Sequence, residues 1–197
     1  MGRFELLEKA FHRFVPDQAY ETFVEKNKKW LEDYSLYMAI KNSLGGIAWS
    51  EWEAPLKTRQ EAALEEKRVE LKEQMDFICF QQYEFAKQWE KLKQYANEKD
   101  IQIIGDIPIY VAFDSADAWA NPELFQFDEN STPLAVAGCP PDAFAATGQL
   151  WGNPLYRWDY HAQTGYVWWI SRLRHCFTLY DVVRVDHFRG FDEYYAI

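Results

Sequence analysis

Arg184 and Asp186 stand two residues apart in the run VVRVDHFRG, residues 182–190, where β-branched residues otherwise call for a buried strand. Charged side chains are almost never fully buried unless they are paired. Side chains alternate along a strand, so Arg184 and Asp186 share one side while Val183, Val185 and His187 take the other. If the shared side opens at the mouth of a barrel, the two charges face each other and a ligand. An arginine within about 4–6 Å lowers a carboxylate's pKa by roughly 1–3 units, which keeps Asp186 ionised at neutral pH. An ionised carboxylate at the C-terminal end of a barrel strand is suited to act as a nucleophile or as a stabiliser of positive charge. The same spacing also fits a structural ion pair, with Asp186 capping the following turn. A metal site built from Asp186, His187 and Asp106 is the weaker alternative, because His12, His161 and His175 add no ligand spacing. No glycine-rich phosphate loop or dinucleotide fingerprint is present, so no cofactor is expected.

The elements that must position these residues fall into two halves. Residues 1–100 read as a mainly helical region. Pro16-Asp17 signals a helix start, and Gly45-Gly46 ends the long run that follows. Two more helices are expected, over about 59–73 and 76–98, the second with a buried stripe of Phe85, Trp89, Leu92 and Ala96. Beyond residue 100 the period changes. IQIIGDIPIYV (101–111) reads as a strand, 112–164 as a long loop or small insertion holding five of the eight prolines, 165–180 as a helix and 182–188 as a second strand. Connections as long as 112–164 are usually functional. Strand, loop, helix and strand make one β-α-β unit of a parallel sheet. Two strands cannot close a barrel, which typically takes roughly 250 residues, so the chain reads as part of a larger α/β architecture.

Composition excludes several classes of function. A formal charge of −10 argues against nucleic-acid or anionic-membrane partners, which need clustered Lys and Arg. No signal peptide or run long and apolar enough to span a membrane is seen. Cys79, Cys139 and Cys176 are odd in number and lie far apart, which predicts a reducing compartment, by default the cytoplasm. Aromatic residues make up 18% of the chain, and each admits two readings. Trp168 and Trp169 are read as core, since neighbouring indoles on one helix cannot both face one ligand, while Trp49 and Trp52 stay open between core and sugar platform. Trp151, in a loop beside Gly152-Asn153-Pro154, is read as a binding surface.

Several long motifs in order carry a resemblance: VRVDHFRGF (183–191), IIGDIPIYVAFDSADAWANPELF (103–125) and GCPPDAFAATGQLWGNPLYRWDYH (138–161), with LEDYSLYMAIKNSLGGIAWSEWEAPLKTR (31–59) and FICFQQYEFAKQWEKLKQYANEKDIQ (77–102) upstream. Together they closely resemble the 4-α-glucanotransferases, the amylomaltase or disproportionating-enzyme family of the α-amylase clan, over nearly the whole chain. The resemblance implies part of a TIM (β/α)8 barrel, about its third and fourth strands, with a helical subdomain inserted in it. The activity it implies is retaining transfer of α-1,4-glucan segments between maltooligosaccharides through a covalent glycosyl-enzyme. By motif, Asp186 matches the nucleophile and Arg184 the arginine beside it. Asp106 falls in GDIPIYV and implies a supporting, hydrogen-bonding role. Asp142, Phe144, Gln149, Trp151 and Asn153 match the glucan-binding loop, and His187 follows the nucleophile. Such a loop makes physical sense, because sugars offer flat apolar faces to aromatic rings and a rim of hydroxyls to amides and carboxylates.

The sequence departs from the family in two ways. Ala143 stands where many relatives carry an aromatic residue, which reduces one platform. The family's acid/base Glu and its later His-Asp would fall beyond Ile197, so these 197 residues alone are expected to transfer no glucan. A non-catalytic glucan-binding module and an α-glucan hydrolase of the same clan are the alternatives.

Overall fold

The computed structural model describes residues 2–143 and 145–197, and the chain forms two compact units, one up to Lys91 and the other from Leu92 onward. In order along the chain the elements are α1 (Arg3–Phe11), α2 (Gln18–Ser43), α3 (Ala54–Lys57), α4 (Glu61–Glu70), α5 (Lys72–Asn97), β1 (Ile104–Ile107), α6 (Ala116–Ala120), β2 (Val136–Cys139), β3 (Gln149–Pro154), α7 (Trp158–Gln163), α8 (Val167–Leu179), β4 (Val182–Val185) and β5 (Tyr195–Ala196), with short 3-10 turns at 49–51, 122–124 and 188–191. The boundary between the two units falls within α5.

The first unit is helical for local reasons. The Asp17 carboxylate accepts from the Tyr20 backbone N–H and caps α2. At the other end Gly45 and Gly46 take positive φ, as a helix stop requires. Its core gathers Leu31, Leu36, Ile40, Leu64, Leu71, Ile78 and Phe80 with Trp49 and Trp52, which decides between the two readings of these tryptophans in favour of core.

The stripe expected on α5 is not buried. Phe85 and Leu92 are each 54% exposed, and the residues that α5 does bury are Ile78, Phe80 and Tyr83. Helical periodicity identifies residues that share a face. It does not identify what covers that face.

In the second unit β1 and β4 pair in parallel, with Asp106 opposite Arg184 and Ile107 opposite Val185. Both strands are shorter than the runs 101–111 and 182–188. The segment 112–164 is not a plain loop: β3, β2 and β5 form a three-stranded antiparallel sheet, flanked by the short helices α6 and α7. The Gly, Ala and Pro content of β2 and β3 hides them from any β-propensity reading.

Beneath the strands lies an aromatic core. Tyr156 stands within 5.1–5.7 Å, ring to ring, of Trp158, His161, Phe125, Trp168 and Trp169, and Trp169 is buried as core. Arg172 on α8 lies over Trp168 and Trp169 at 5.3 and 4.9 Å. From there it donates to the Pro108 and Ile109 carbonyls at 2.7 and 3.1 Å, pinning the end of β1.

His161 is fully buried, with Nε2 3.2 Å from the Leu124 carbonyl and Nδ1 without a hydrogen-bond partner among the described residues. The neutral ring with its proton on Nε2 fits this setting, and burial lowers its pKa; burial acts in the same direction on His175. An unfolded histidine titrates near about 6.5, so below that pH the unfolded chain takes up protons that the native rings resist. Stability is therefore expected to fall as pH drops from about 7 to about 5. In urea denaturation across this range, His161→Gln should flatten the slope, and an unchanged slope would rule out His161 as a contributor.

Candidate active site

The site grows from the paired strands. On β1, Gly105 and Ile107 face the interior while Ile104 and Asp106 are exposed, and on β4 Val182 and Arg184 are exposed in the same way. The Asp186 N–H donates to the Ile107 carbonyl at 2.9 Å, which extends the ladder one residue past β4. Asp106, Arg184 and Asp186 thus share one face, as the alternation predicts.

Upstream, Asp181 anchors the strand entries by accepting from the Ile103 N–H at 2.8 Å and from Asn97 Nδ2 at 2.9 Å, with Lys93 Nζ 3.5 Å away. The Ile103 N–H, then Asn97, hold its carboxyl below the usual range. Nothing in the local sequence singled out this residue.

The guanidinium directs its fork away from the partner expected of it. Arg184 Nε donates to Asp106 Oδ1 at 3.0 Å and Nη2 donates to Asp106 Oδ2, while Asp186 Oδ1 lies 3.6 Å from Nη2. The cross-strand register places Asp106 directly opposite Arg184, so the two-pronged geometry goes there. The Arg184 guanidinium holds the Asp106 carboxyl below the usual carboxylate range. All three side chains are open on one side, with 64%, 52% and 64% exposure for Arg184, Asp106 and Asp186. Asp186 therefore keeps an accessible oxygen beside a fixed cation.

His187 corrects the strand reading. Its φ of 52° is left-handed, and the chain turns there into the 3-10 turn Phe188–Phe191, so alternation stops at Asp186. The ring does not sit with Val183 and Val185 on the opposite face. It meets the indole of Trp151 edge-on, with centroids 5.1 Å apart.

The insertion supplies the rest of the site. Trp151 on β3 is partly exposed and donates from Nε1 to Gln149 Oε1 at 2.9 Å. Tyr110, just past β1, lies 6.3 Å from Trp151 and stacks on Tyr156; it escaped the sequence reading, although 106, 108 and 110 fall in one alternation. Asn153 Nδ2 donates to the Val111 carbonyl at 2.7 Å, which ties β3 to the segment after β1. Asp142 Oδ1 accepts from the Ala145 N–H at 2.7 Å and so builds its own turn. Phe144 lies outside the described residues. Asp106, Arg184 and Asp186 thus form one cluster and Gln149, Trp151 and His187 another, joined through the adjacency of residues 186 and 187.

Among the described residues no three His, Cys, Asp or Glu side chains come together to hold a metal, and no helix is long and apolar enough to cross a membrane.

Comparison with known proteins identifies the family. Residues 2–197 match the family model described as 4-alpha-glucanotransferase. A Streptococcus pneumoniae 4-alpha-glucanotransferase is 51% identical over the full chain and a Clostridium butyricum one 48% identical over 99% of it. This chain spans only about 40% of the length of each of these relatives. A solved amylomaltase from Streptococcus agalactiae, in complex with acarbose, superposes with a TM-score of 0.94 at 44% identity, over 99% of this chain and 40% of that one.

Proposed function

Because this chain belongs to the 4-alpha-glucanotransferase family, we propose that Asp186 is the nucleophile with which the intact protein moves α-1,4-glucan segments between maltooligosaccharides. In this reading β1 and β4 are neighbouring strands of a (β/α)8 barrel, about the third and fourth, and Asp186 lies at its C-terminal mouth. The observation that carries the proposal is the cluster on one open face: a carboxylate with a free oxygen beside an arginine already fixed by a second carboxylate.

The chemistry follows from that arrangement. The Asp186 oxygen attacks C1 of a bound glucosyl unit. The C1–O bond to the leaving glucan breaks, and the departing 4-oxygen takes a proton from an acid that these residues do not supply. A glycosyl ester of inverted configuration remains on Asp186. The 4-hydroxyl of an acceptor glucan then attacks C1 from the opposite face, passes its proton to the conjugate base left by that same acid, and restores the α configuration while Asp186 leaves as carboxylate. Asp106 keeps the guanidinium from swinging toward solvent, so Asp186 faces a positioned positive charge throughout. Trp151, with the His187 ring perpendicular to it, offers a flat apolar platform for a sugar ring, and Gln149 orients the indole. Asp142, Phe144 and Asn153 complete the loop that we assign to glucan binding. The free thiols of Cys79, Cys139 and Cys176 support a reducing compartment, the cytoplasm in our reading.

Incubating the intact protein with maltotriose tests the activity. Glucose should appear together with oligosaccharides longer than the substrate. Glucose and maltose without longer products would make it a hydrolase, and binding without turnover would make it a glucan-binding module.

A further inference from the structure

The turn after Asp186 contains a glycine whose lack of a side chain has a specific consequence. Gly190 is buried, and its N–H donates to the His187 carbonyl at 2.9 Å. A Cβ at this position would lie 2.7 Å from His187 Cδ2, 3.1 Å from His187 Nε2 and 2.9 Å from Ile109 Cδ1. Its φ is not positive, so backbone freedom does not explain the glycine; the close approach of the imidazole does. The same imidazole meets the Trp151 indole edge-on. His187 therefore touches both the Gly190 backbone and the aromatic platform, and its left-handed φ leaves the backbone little room to move the ring elsewhere.

We propose that Gly190 is a positioning residue that sets glucan affinity. By leaving space for the His187 ring, it holds that ring against Trp151 and fixes the plane on which a sugar stacks. The inference rests on Trp151 being a glucan platform, as argued above. Gly190 touches no reacting group, so it acts on binding more than on the bond-making step. Ile109 is the lesser neighbour, because only the far end of its flexible side chain approaches.

The test uses the intact protein and two readouts: maltotriose affinity by titration calorimetry in a variant made inert by Asp186→Asn, and KM with kcat in the otherwise unaltered protein. Gly190→Ala should weaken maltotriose binding and raise KM by about tenfold, the scale of one lost stacking contact, with kcat changed less than about twofold. In a His187→Ala background the ring is gone, and adding Gly190→Ala should then cost nothing further. Affinity unchanged by Gly190→Ala, or a penalty that persists undiminished without the His187 ring, overturns the proposal. If Gly190→Ala alone does not fold, recovery of folding on adding His187→Ala supports the contact and failure to recover refutes it. Calorimetry does not depend on transfer, so an enzyme that binds maltotriose without transferring it would sink the functional reading while leaving this inference to be decided by affinity alone.

Discussion

Asp186→Asn in the intact protein is expected to reduce glucan transfer by a factor of about 10³ or more, with the fold and maltotriose binding retained. The amide has nearly the same shape as the carboxylate, and Asp186 is exposed, so the change removes no packing. It removes the negative oxygen that, in the proposed mechanism, forms the ester with C1. A residue acting only as a charge stabiliser would predict a similar rate loss, so rate alone does not separate the two roles. A mechanism-based fluorinated glucosyl fluoride does, because the fluorine slows breakdown of the ester and the sugar stays on whichever residue attacked. Peptide mapping of the trapped protein should find the label on Asp186. A label on another residue, or an Asn variant that still transfers at a comparable rate, would remove Asp186 from the chemistry. In that case Arg184 and Asp186 would belong to a structural network, which their spacing alone allows.

The second large effect is on stability. Gly105→Ala should cost about 3 kcal/mol, at the upper end for overpacking, because the added methyl would fall within the ring of Tyr180. Tyr180 follows α8, and its carbonyl accepts from Lys93 Nζ at 3.1 Å, so its backbone is held in place and strain would be forced on β1 and its neighbour Asp106. Urea denaturation of a double-mutant cycle with Tyr180→Leu checks the cause. If the ring is responsible, most of the penalty should vanish in the Leu background. A Gly105→Ala protein within about 0.5 kcal/mol of the original would show that the ring moves aside at little cost.

Alternation by itself put Arg184 and Asp186 on one side of a strand, and that held because the face of β4 depends only on the two-residue repeat of extended backbone. The caps of α2 were equally legible, since Asp17 and Gly45-Gly46 act on their own backbone. Trp169 read as core because neighbouring indoles on one helix cannot both face one ligand, whereas Trp49 and Trp52 were placed in the core only by the fold. The stripe on α5 failed for the converse reason. Phe85 and Leu92 obey the period, but a period contains no information about a covering partner. The sheet β3-β2-β5 escaped because Gly and Pro at VAGC and QLWGNP mask strands whose hydrogen bonds come from distant segments.

Local sequence therefore determined which residues could share a face, where the helices stop, and that a carboxylate and a guanidinium stand together at the end of a strand, all properties of backbone geometry over a few residues. Tertiary structure alone decided that Arg184 forks onto Asp106, that His187 turns out of the strand to meet Trp151, and that Gly190 must lack a side chain. The first two depend on chain segments far apart in sequence reaching within a few ångströms, and the third on how the turn after Asp186 folds the His187 ring back over Gly190; short-range spacing carries no record of either.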